Sequence, residues 1–201
     1  MIKSNEYLRK IIHLFNLIIP FGYLFFIHEK WDMVILLTVF TCLFLFVEIL
    51  RNKIGWIKSL FNSLFNSMLR GHELDGKLTG ATWVLIGALT SIMLFSKPVA
   101  IIALIFMSLG DTTAGLIGQN FGKHKVGNKS WEGFFSGLTV CIIVAINFPL
   151  LPLTVSLAGA LTAMIMELVP IPLDDNFKIP LGSGAIMMML TIFFIVFVFV
   201  G

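Results

Sequence analysis

Charge is what this sequence has least of. Asp, Glu, Lys and Arg make up 12% of its 201 residues while hydrophobic residues make up 58%; a soluble domain would have too little polar surface to cover such a core. Cysteine is nearly absent as well. Cys42 and Cys141 both fall in apolar stretches without His or Cys neighbours at ligand spacing, so they read as packed thiols and not as a metal centre. There is no internal repeat, no Gly/Ser linker and no low-complexity tail, and a single domain over 1–201 is expected. A Walker A loop is missing too: between Gly118 and Lys123 the spacing is one residue short, and His124 stands where Ser or Thr should follow the lysine. That removes nucleotide binding of the soluble P-loop type. Nothing in the charge pattern asks for a nucleic-acid partner.

What is present is a series of apolar runs long enough to cross a hydrocarbon core of roughly 30 Å. Seven are expected, near Ile11–His28, Met33–Leu50, Thr79–Phe95, Pro98–Gly118, Phe134–Phe148, Leu153–Val169 and Ile179–Val200, which predicts an all-α polytopic transmembrane helical bundle. The first run carries His13 and Asn16 and lacks a small-residue cleavage pattern, so it reads as a retained anchor. Basic residues cluster on one side of this arrangement. Twelve, from Lys3 to Lys178, fall on the side of the N-terminus, and only Lys30 and Lys97 on the other. Because Lys and Arg are retained in the cytosol, a cytosolic N-terminus and, for an odd number of spans, an external C-terminus are expected. The expected place is the plasma membrane of a prokaryote, with the polar chemistry facing the cytosol. Between Arg51 and Gly71, apolar Ile54, Ile57, Phe61, Leu64, Phe65 and Met68 recur at helical spacing opposite Lys58, Asn62, Ser63, Asn66 and Arg70. This predicts an amphipathic helix over about 54–70 lying in the interface, as a collar or as a gate beside an entry route for a lipid.

The chemistry-bearing residues gather on that cytosolic side. Asp111 lies within the fourth run, with Ser108, Gly115 and Gly118 on its helical face. A carboxylate at membrane depth is costly and needs a partner, whereas the glycines have an alternative role in close helix packing, Gly118 and Gly122 at the four-residue step included. The following loop holds Gly122, Lys123, Lys125, Lys129, Ser130 and Glu132. Lysine charge and close glycine backbone suit phosphate; the alternative is that the lysines only enforce orientation. In the last cytosolic loop, Glu167 precedes a Pro-stiffened turn and Asp174-Asp175-Asn176, hard oxygen ligands that suit Mg²⁺ carrying phosphates. Glu73 and Asp75 precede the third run, and Glu48 stands three residues before Arg51, at salt-bridge spacing.

These residues resemble a known pattern. Glu6 with Arg9-Lys10-Ile-Ile-His13, Glu48 to Arg51, Glu73 with Leu78-Thr79-Gly80-Ala81-Thr82, then Gly110-Asp111 to Ala114, Gly118, Phe121-Gly122-Lys123, Lys129 to Gly133, and Asp174-Asp175-Asn176 with Ile179-Pro180, follow in the order seen in the dolichol kinase, phytol kinase and CTP-dependent diacylglycerol kinase family. The resemblance covers nearly the whole chain. It implies transfer of the γ-phosphate of a nucleoside triphosphate, typically CTP, to the hydroxyl of an isoprenoid alcohol or diacylglycerol, with Mg²⁺. In that reading Asp111 and Asp175 are catalytic, and Asp111, Asp174, Asp175 and Asn176 hold metal. Lys123, Lys125, Lys129, Ser130, Gly118, Gly122 and Glu132 bind the nucleotide, and Arg9, His13, Glu48 and Glu73 are further candidates. A neighbouring class, the CDP-diacylglycerol synthases, shares the Gly-rich, Lys-containing stretch and CTP. Those enzymes typically end in a Lys-Asp pair, Pro-Gly-His-Gly-Gly and Asp-Arg, where this chain has Asp174-Asp175-Asn176 and Gly182-Ser183-Gly184. A transporter would also place acids within spans but would favour an inverted repeat, and a purely structural subunit would not explain acids and lysines gathered on one side.

Overall fold

The computed structural model describes residues 4–65, 69, 73 and 76–200. Among them the chain is a helical bundle of ten helices. They are α1 (Ser4–Phe15), α2 (Ile18–Phe25), α3 (Lys30–Lys53), α4 (Gly55–Phe65), α5 (Gly80–Leu94), α6 (Lys97–Ile105), α7 (Asp111–Phe121), α8 (Trp131–Ile146), α9 (Leu153–Leu168) and α10 (Asp175–Val200). A π-helical turn, Phe106–Gly110, joins α6 to α7 without a break. A two-stranded antiparallel ribbon, β1 (Lys125–Val126) and β2 (Lys129–Ser130), stands between α7 and α8. It was not foreseen in an all-α reading. Its two-residue turn works because Gly127 adopts φ 58°, a conformation that glycine takes without steric cost.

Three helices are long and apolar enough to cross a membrane: Lys30–Lys53, Lys97–Phe121 and Asp175–Val196. The apolar helices α5, α8 and α9 are shorter, at 15, 16 and 16 residues. They coincide with expected runs to within a few residues. The first expected run differs. It is two helices, interrupted at Asn16 and Leu17, where the Asn16 amide turns back to the ring of His13 (Nδ2 to Nδ1, 3.1 Å). The amphipathic segment is helical over Gly55–Phe65; residues 66–68 and 70–72 lie outside the described residues, and with them Met68 and Arg70, as do Lys3 and Asp75.

The continuous helix from α6 through α7 forms the centre. Of its most apolar window 72% is buried, against 28% for those of α3 and α10. Every residue from Val99 to Met107 is buried, and α2, α5, α8, α9 and α10 pack around it. A helix that is apolar on all sides has this central fate. Packing against α8 follows a row of small residues. A Cβ on Gly133 would stand 2.6 Å from the Ala114 carbonyl oxygen, and one on Gly137 would stand 2.9 Å from that of Gly110. Between helices in lipid, where hydrophobic drive is weak, such close backbone approach is a principal source of association.

The start of α10 is seated in the same manner. Pro180 lies inside the helix and has no N–H to offer the Asn176 carbonyl four residues earlier. That carbonyl rests on Gly87 of α5, where a Cβ would overlap it. The contact seats the Asn176 backbone against the middle of α5, and the Asn176 amide reaches the Gly80 carbonyl at its start. Gly87→Ala is therefore expected to lower stability by about 1–3 kcal/mol through overpacking. Gly22→Ala, with nothing within 4 Å of the added carbon, should be neutral or mildly stabilising. Thermal unfolding in detergent compares the two, and equal behaviour would remove the Gly87 contact from the account of α10.

Candidate active site

Three acids from three helices converge on one lysine. Lys129, on β2, donates to Glu167 Oε1 at 2.6 Å and to Asp175 Oδ2 at 2.8 Å, and stands 3.9 Å from Asp111 Oδ1. Burial works against its positive charge, but Asp111, Asp175 and Glu167 outweigh that, and its pKa is raised. The ammonium thus stays charged throughout the physiological range. Two further lysines complete the pairing. Lys10 of α1 reaches Asp111 Oδ2 at 2.9 Å and the Asp111 carbonyl at 3.1 Å. Lys178, one turn beyond Asp175, holds Asp175 Oδ1 at 3.0 Å and the Val169 carbonyl at 2.9 Å.

Local structure explains how each group arrives. Lys10 can reach Asp111 because Gly115 has no side chain: a Cβ there would stand 2.6 Å from both Cε and Nζ of Lys10. Nε2 of His13 lies 3.4 Å from Asp111 Oδ2 and 3.4 Å from the Met107 carbonyl. With Asn16 donating to Nδ1, the proton belongs on Nε2, facing the carboxylate. Asp111 follows directly on the π-helical turn, a type of irregularity that recurs at functional sites. Its Oδ2 is thereby committed to Lys10 and His13, and Oδ1 is the oxygen turned toward Lys129.

The remaining candidates divide differently from expectation. Ser130 Oγ accepts from the Gly133 N–H at 3.1 Å and caps α8. A Cβ on Gly118 or Gly122 would stand 2.8 or 2.6 Å from that hydroxyl. Lys125 donates to the Gly118 carbonyl at 3.0 Å, at the end of α7. These residues build the junction of α7, the ribbon and α8. Glu132 takes the His124 N–H at 3.1 Å and the His124 ring at 2.7 Å. Its own backbone N–H and His124 lower its pKa to about 2. A lowered carboxylate pKa contributes above the unfolded value and is lost only as pH falls through the folded one, so this tie holds down to strongly acidic conditions. Lys123 is exposed.

Glu48 and Arg51 are paired as their spacing suggested, at 2.6 Å. Glu48 Oε1 also accepts the Thr79 N–H at 2.8 Å and the Thr82 hydroxyl at 3.0 Å, while Arg51 donates to the Lys77 carbonyl at 2.7 Å. Glu73 accepts the Gly80 N–H at 2.8 Å. Together they fix the start of α5. Asp174 Oδ1 accepts the Asn176 N–H at 3.0 Å, and the Asn176 amide donates to the Gly80 carbonyl at 3.3 Å, while Asn176 lines the same cavity as Asp111 and Asp175. Glu167, only 2% exposed, joins them through Lys129. Among the described residues its buried Oε2 has no hydrogen-bond partner.

Two cavities meet at this cluster. One, of about 390 Å³, is lined by Lys10, His13, Asp111, Asp175 and Asn176, by Arg9, Asn16, Glu48, Glu73 and Thr79, and by apolar side chains of α3, α4 and α5, among them Phe44, Phe61 and Val84. The other, of about 310 Å³, is lined by Lys129, Glu167, Asp175, Lys178, Asn128 and the turn from Leu168 to Leu173. Asp175 faces both. As to a metal, no group of three His, Cys, Asp or Glu is closed into a metal centre among the described residues; a lysine ammonium occupies the midst of the acids. The donor set of three carboxylates, with one oxygen of Glu167 unpaired, fits a hard divalent cation in chemistry.

No family model matches the chain, and no solved structure matches it. Among curated proteins it is 27% identical, over 87% of its length and 89% of the relative, to an uncharacterized protein of Rickettsia prowazekii (strain Madrid E). It is 29% identical over 60% of its length to a probable chloroplastic phytol kinase 1 of Oryza sativa subsp. japonica, of which 45% is covered. To CTP-dependent diacylglycerol kinase 1 of Saccharomyces cerevisiae (strain ATCC 204508 / S288c) it is 28% identical over 76% of its length, covering 61% of that protein. The chain therefore spans about half of the length of the named kinases. Over part of its length the chain is thus similar to proteins named phytol kinase and CTP-dependent diacylglycerol kinase.

Proposed function

We propose that this protein is a membrane-embedded lipid-alcohol kinase that moves the γ-phosphate of a nucleoside triphosphate, CTP by preference, onto the hydroxyl of a polyprenol, a phytol-type alcohol or diacylglycerol. The observation that carries this reading is the placement of Asp111, Asp175 and Lys129 where an apolar-walled cavity and a polar cavity meet. Relatedness to proteins named as lipid kinases supports the reaction class. The orientation that puts this site at the cytosolic face follows from the positive-inside count.

In this reading the lipid hydroxyl enters from the apolar-walled cavity and the phosphates lie on the side of Lys129 and Lys178. The hydroxyl oxygen attacks the γ-phosphorus, the bond from that phosphorus to the β-phosphate oxygen breaks, and the nucleoside diphosphate leaves. The hydroxyl proton passes to a carboxylate, for which Asp111 Oδ1 is placed, with its other oxygen held by Lys10 and His13. Lys129 and Lys178 hold phosphate oxygens by charge. Asp174, Asp175 and Asn176, with Glu167 beside Lys129, would hold Mg²⁺, which when bound offsets charge on the phosphates.

Incubation with CTP labelled on the γ-phosphate and on the base, together with extracted lipids, should yield a phosphorylated lipid carrying the γ-label. A CDP-lipid carrying the base label would establish the cytidylyltransferase alternative, and no turnover with any lipid would sink both. Asp111→Asn is expected to lower turnover at least about 100-fold, and near-normal turnover would overturn the site assignment. Lys129→Ala should expose the three acids to mutual repulsion and lower the melting temperature, with millimolar Mg²⁺ restoring more of it than in the unsubstituted protein. Equal Mg²⁺ responses would argue against Glu167 and Asp175 as metal ligands.

A further inference from the structure

The apolar-walled cavity is shallow and open on one side. Its lining along α3 runs only from Glu48 back to Leu43, about 7–8 Å at roughly 1.5 Å per residue. One leaflet of hydrocarbon is about 15 Å deep. Beyond this stretch α3 stands largely bare, with Leu36, Val39 and Phe40 all exposed. The residues at the side opening are exposed as well as lining: Ile12 of α1 at 38%, Leu43 at 52% and Phe44 at 38%. The volume of about 390 Å³ is near the lower end for pockets that bury a compact ligand of roughly 300–1,000 Å³. Lys10, His13 and Asp111 line it together with Leu43 and Phe44, and Glu48, Glu73 and Thr79 line it as well.

We infer that this protein recognises only the hydroxyl end and about the first six carbons of its acceptor, and leaves the rest of the tail in the bilayer, so that it does not measure tail length. The inference rests on the kinase reading and specifies its acceptor: a long-chain primary alcohol entering sideways, hydroxyl first, past Ile12, Leu43 and Phe44. A hydroxyl seated at Asp111 puts the first carbons against Val84, Phe61 and Phe65. Carbons farther along meet lipid in both the bound and the free state. Since only differences between the two states change affinity or rate, those carbons contribute nothing to discrimination. Apolar contact within the throat does discriminate, at about 0.8 kcal/mol per buried CH₂.

Phosphorylation of a series of prenols in mixed micelles, with concentrations expressed as mole fraction and CTP saturating, tests this. The expected kcat/KM varies less than threefold from 15 to 55 carbons and falls about fourfold at five carbons, where about one carbon of the throat is left unfilled. Val84→Phe, narrowing the throat, should raise KM for every prenol of 15 carbons or more by the same factor and leave the KM for CTP unchanged. Because Val84 is buried, Leu43→Trp at the exposed rim serves as a second variant that folding should tolerate; the ratio of long to short acceptors should not move. A tenfold preference for one length above 15 carbons, or a change of that ratio in either variant, would overturn the inference while leaving the kinase reading standing. Absence of phosphorylation with every alcohol in the folded protein would overturn both.

Discussion

The buried charge around Asp111 depends on matching carboxylates with ammonium groups inside an apolar bundle. Asp111, Glu167 and Asp175 come from α7, α9 and α10, and Lys10, Lys129 and Lys178 from α1, β2 and α10. Three negative charges meet three positive ones across five elements. A charge left alone at this depth would cost several kcal/mol, whereas a well-made pair recovers much of that cost. The pairs are therefore poor as a source of net stability but strong as a source of specificity. Only one mutual arrangement of α1, α7, α9, α10 and the ribbon leaves no charge stranded. In lipid, where apolar side chains are as well accommodated outside the bundle as within it, such a constraint is what selects one packing among many.

The glycines make that arrangement sterically attainable. Gly115 opens the path for Lys10, Gly87 receives the Asn176 carbonyl that Pro180 releases, and Gly118 and Gly133 bring α7 and α8 into backbone contact. The last contact sets where the ribbon begins and so where Lys129 stands. Packing and chemistry are thus not rival explanations of the loop after α7. Gly118, Gly122, Ser130 and Lys125 build the joint, and the joint delivers one lysine to the acids.

The apolar runs, and with them most helices, were legible because burial in lipid demands long uninterrupted hydrophobic stretches. Asp111, Asp175 and Lys129 were legible because charge is rare in such a chain. The break in the first run was overlooked although Pro20, in the first turn of α2, has no N–H to offer the Asn16 carbonyl four residues earlier; Asn16 turning to His13 accompanies it. The ribbon escaped because two residues per strand carry no periodicity. Lys10 and Lys178 looked like orientation charges, and Glu167 stood among the hard oxygen ligands of the last loop without being assigned to the site. Their roles depend on contacts separated by 101 residues for Lys10 with Asp111 and 38 for Lys129 with Glu167, and no spacing rule reaches that far. A sharper signal was nonetheless present: each basic residue that falls within a helix, rather than beyond its end, needs an acid or a carbonyl to face.

The same point bears on how basic residues encode orientation. Lys30 donates to the Met93 and Phe95 carbonyls, and Lys97 to those of Ile27 and His28 while stacking on Tyr23. Both lysines of the sparsely charged side thus satisfy the carbonyl ends of neighbouring helices, where a positive charge also complements the helix dipole. On the other side Lys10, Arg51, Lys129 and Lys178 face acids, while Lys53, Lys58, Lys77, Lys123 and Lys125 are exposed. Exposed lysines are the ones that an electrostatic sorting of loops can act on, and all five belong to the densely charged side. The bias that would orient the chain therefore does not rest on the lysines that assemble the site. The lysines that face acids and those that are exposed thus lie on one side of the bundle with distinct physical roles.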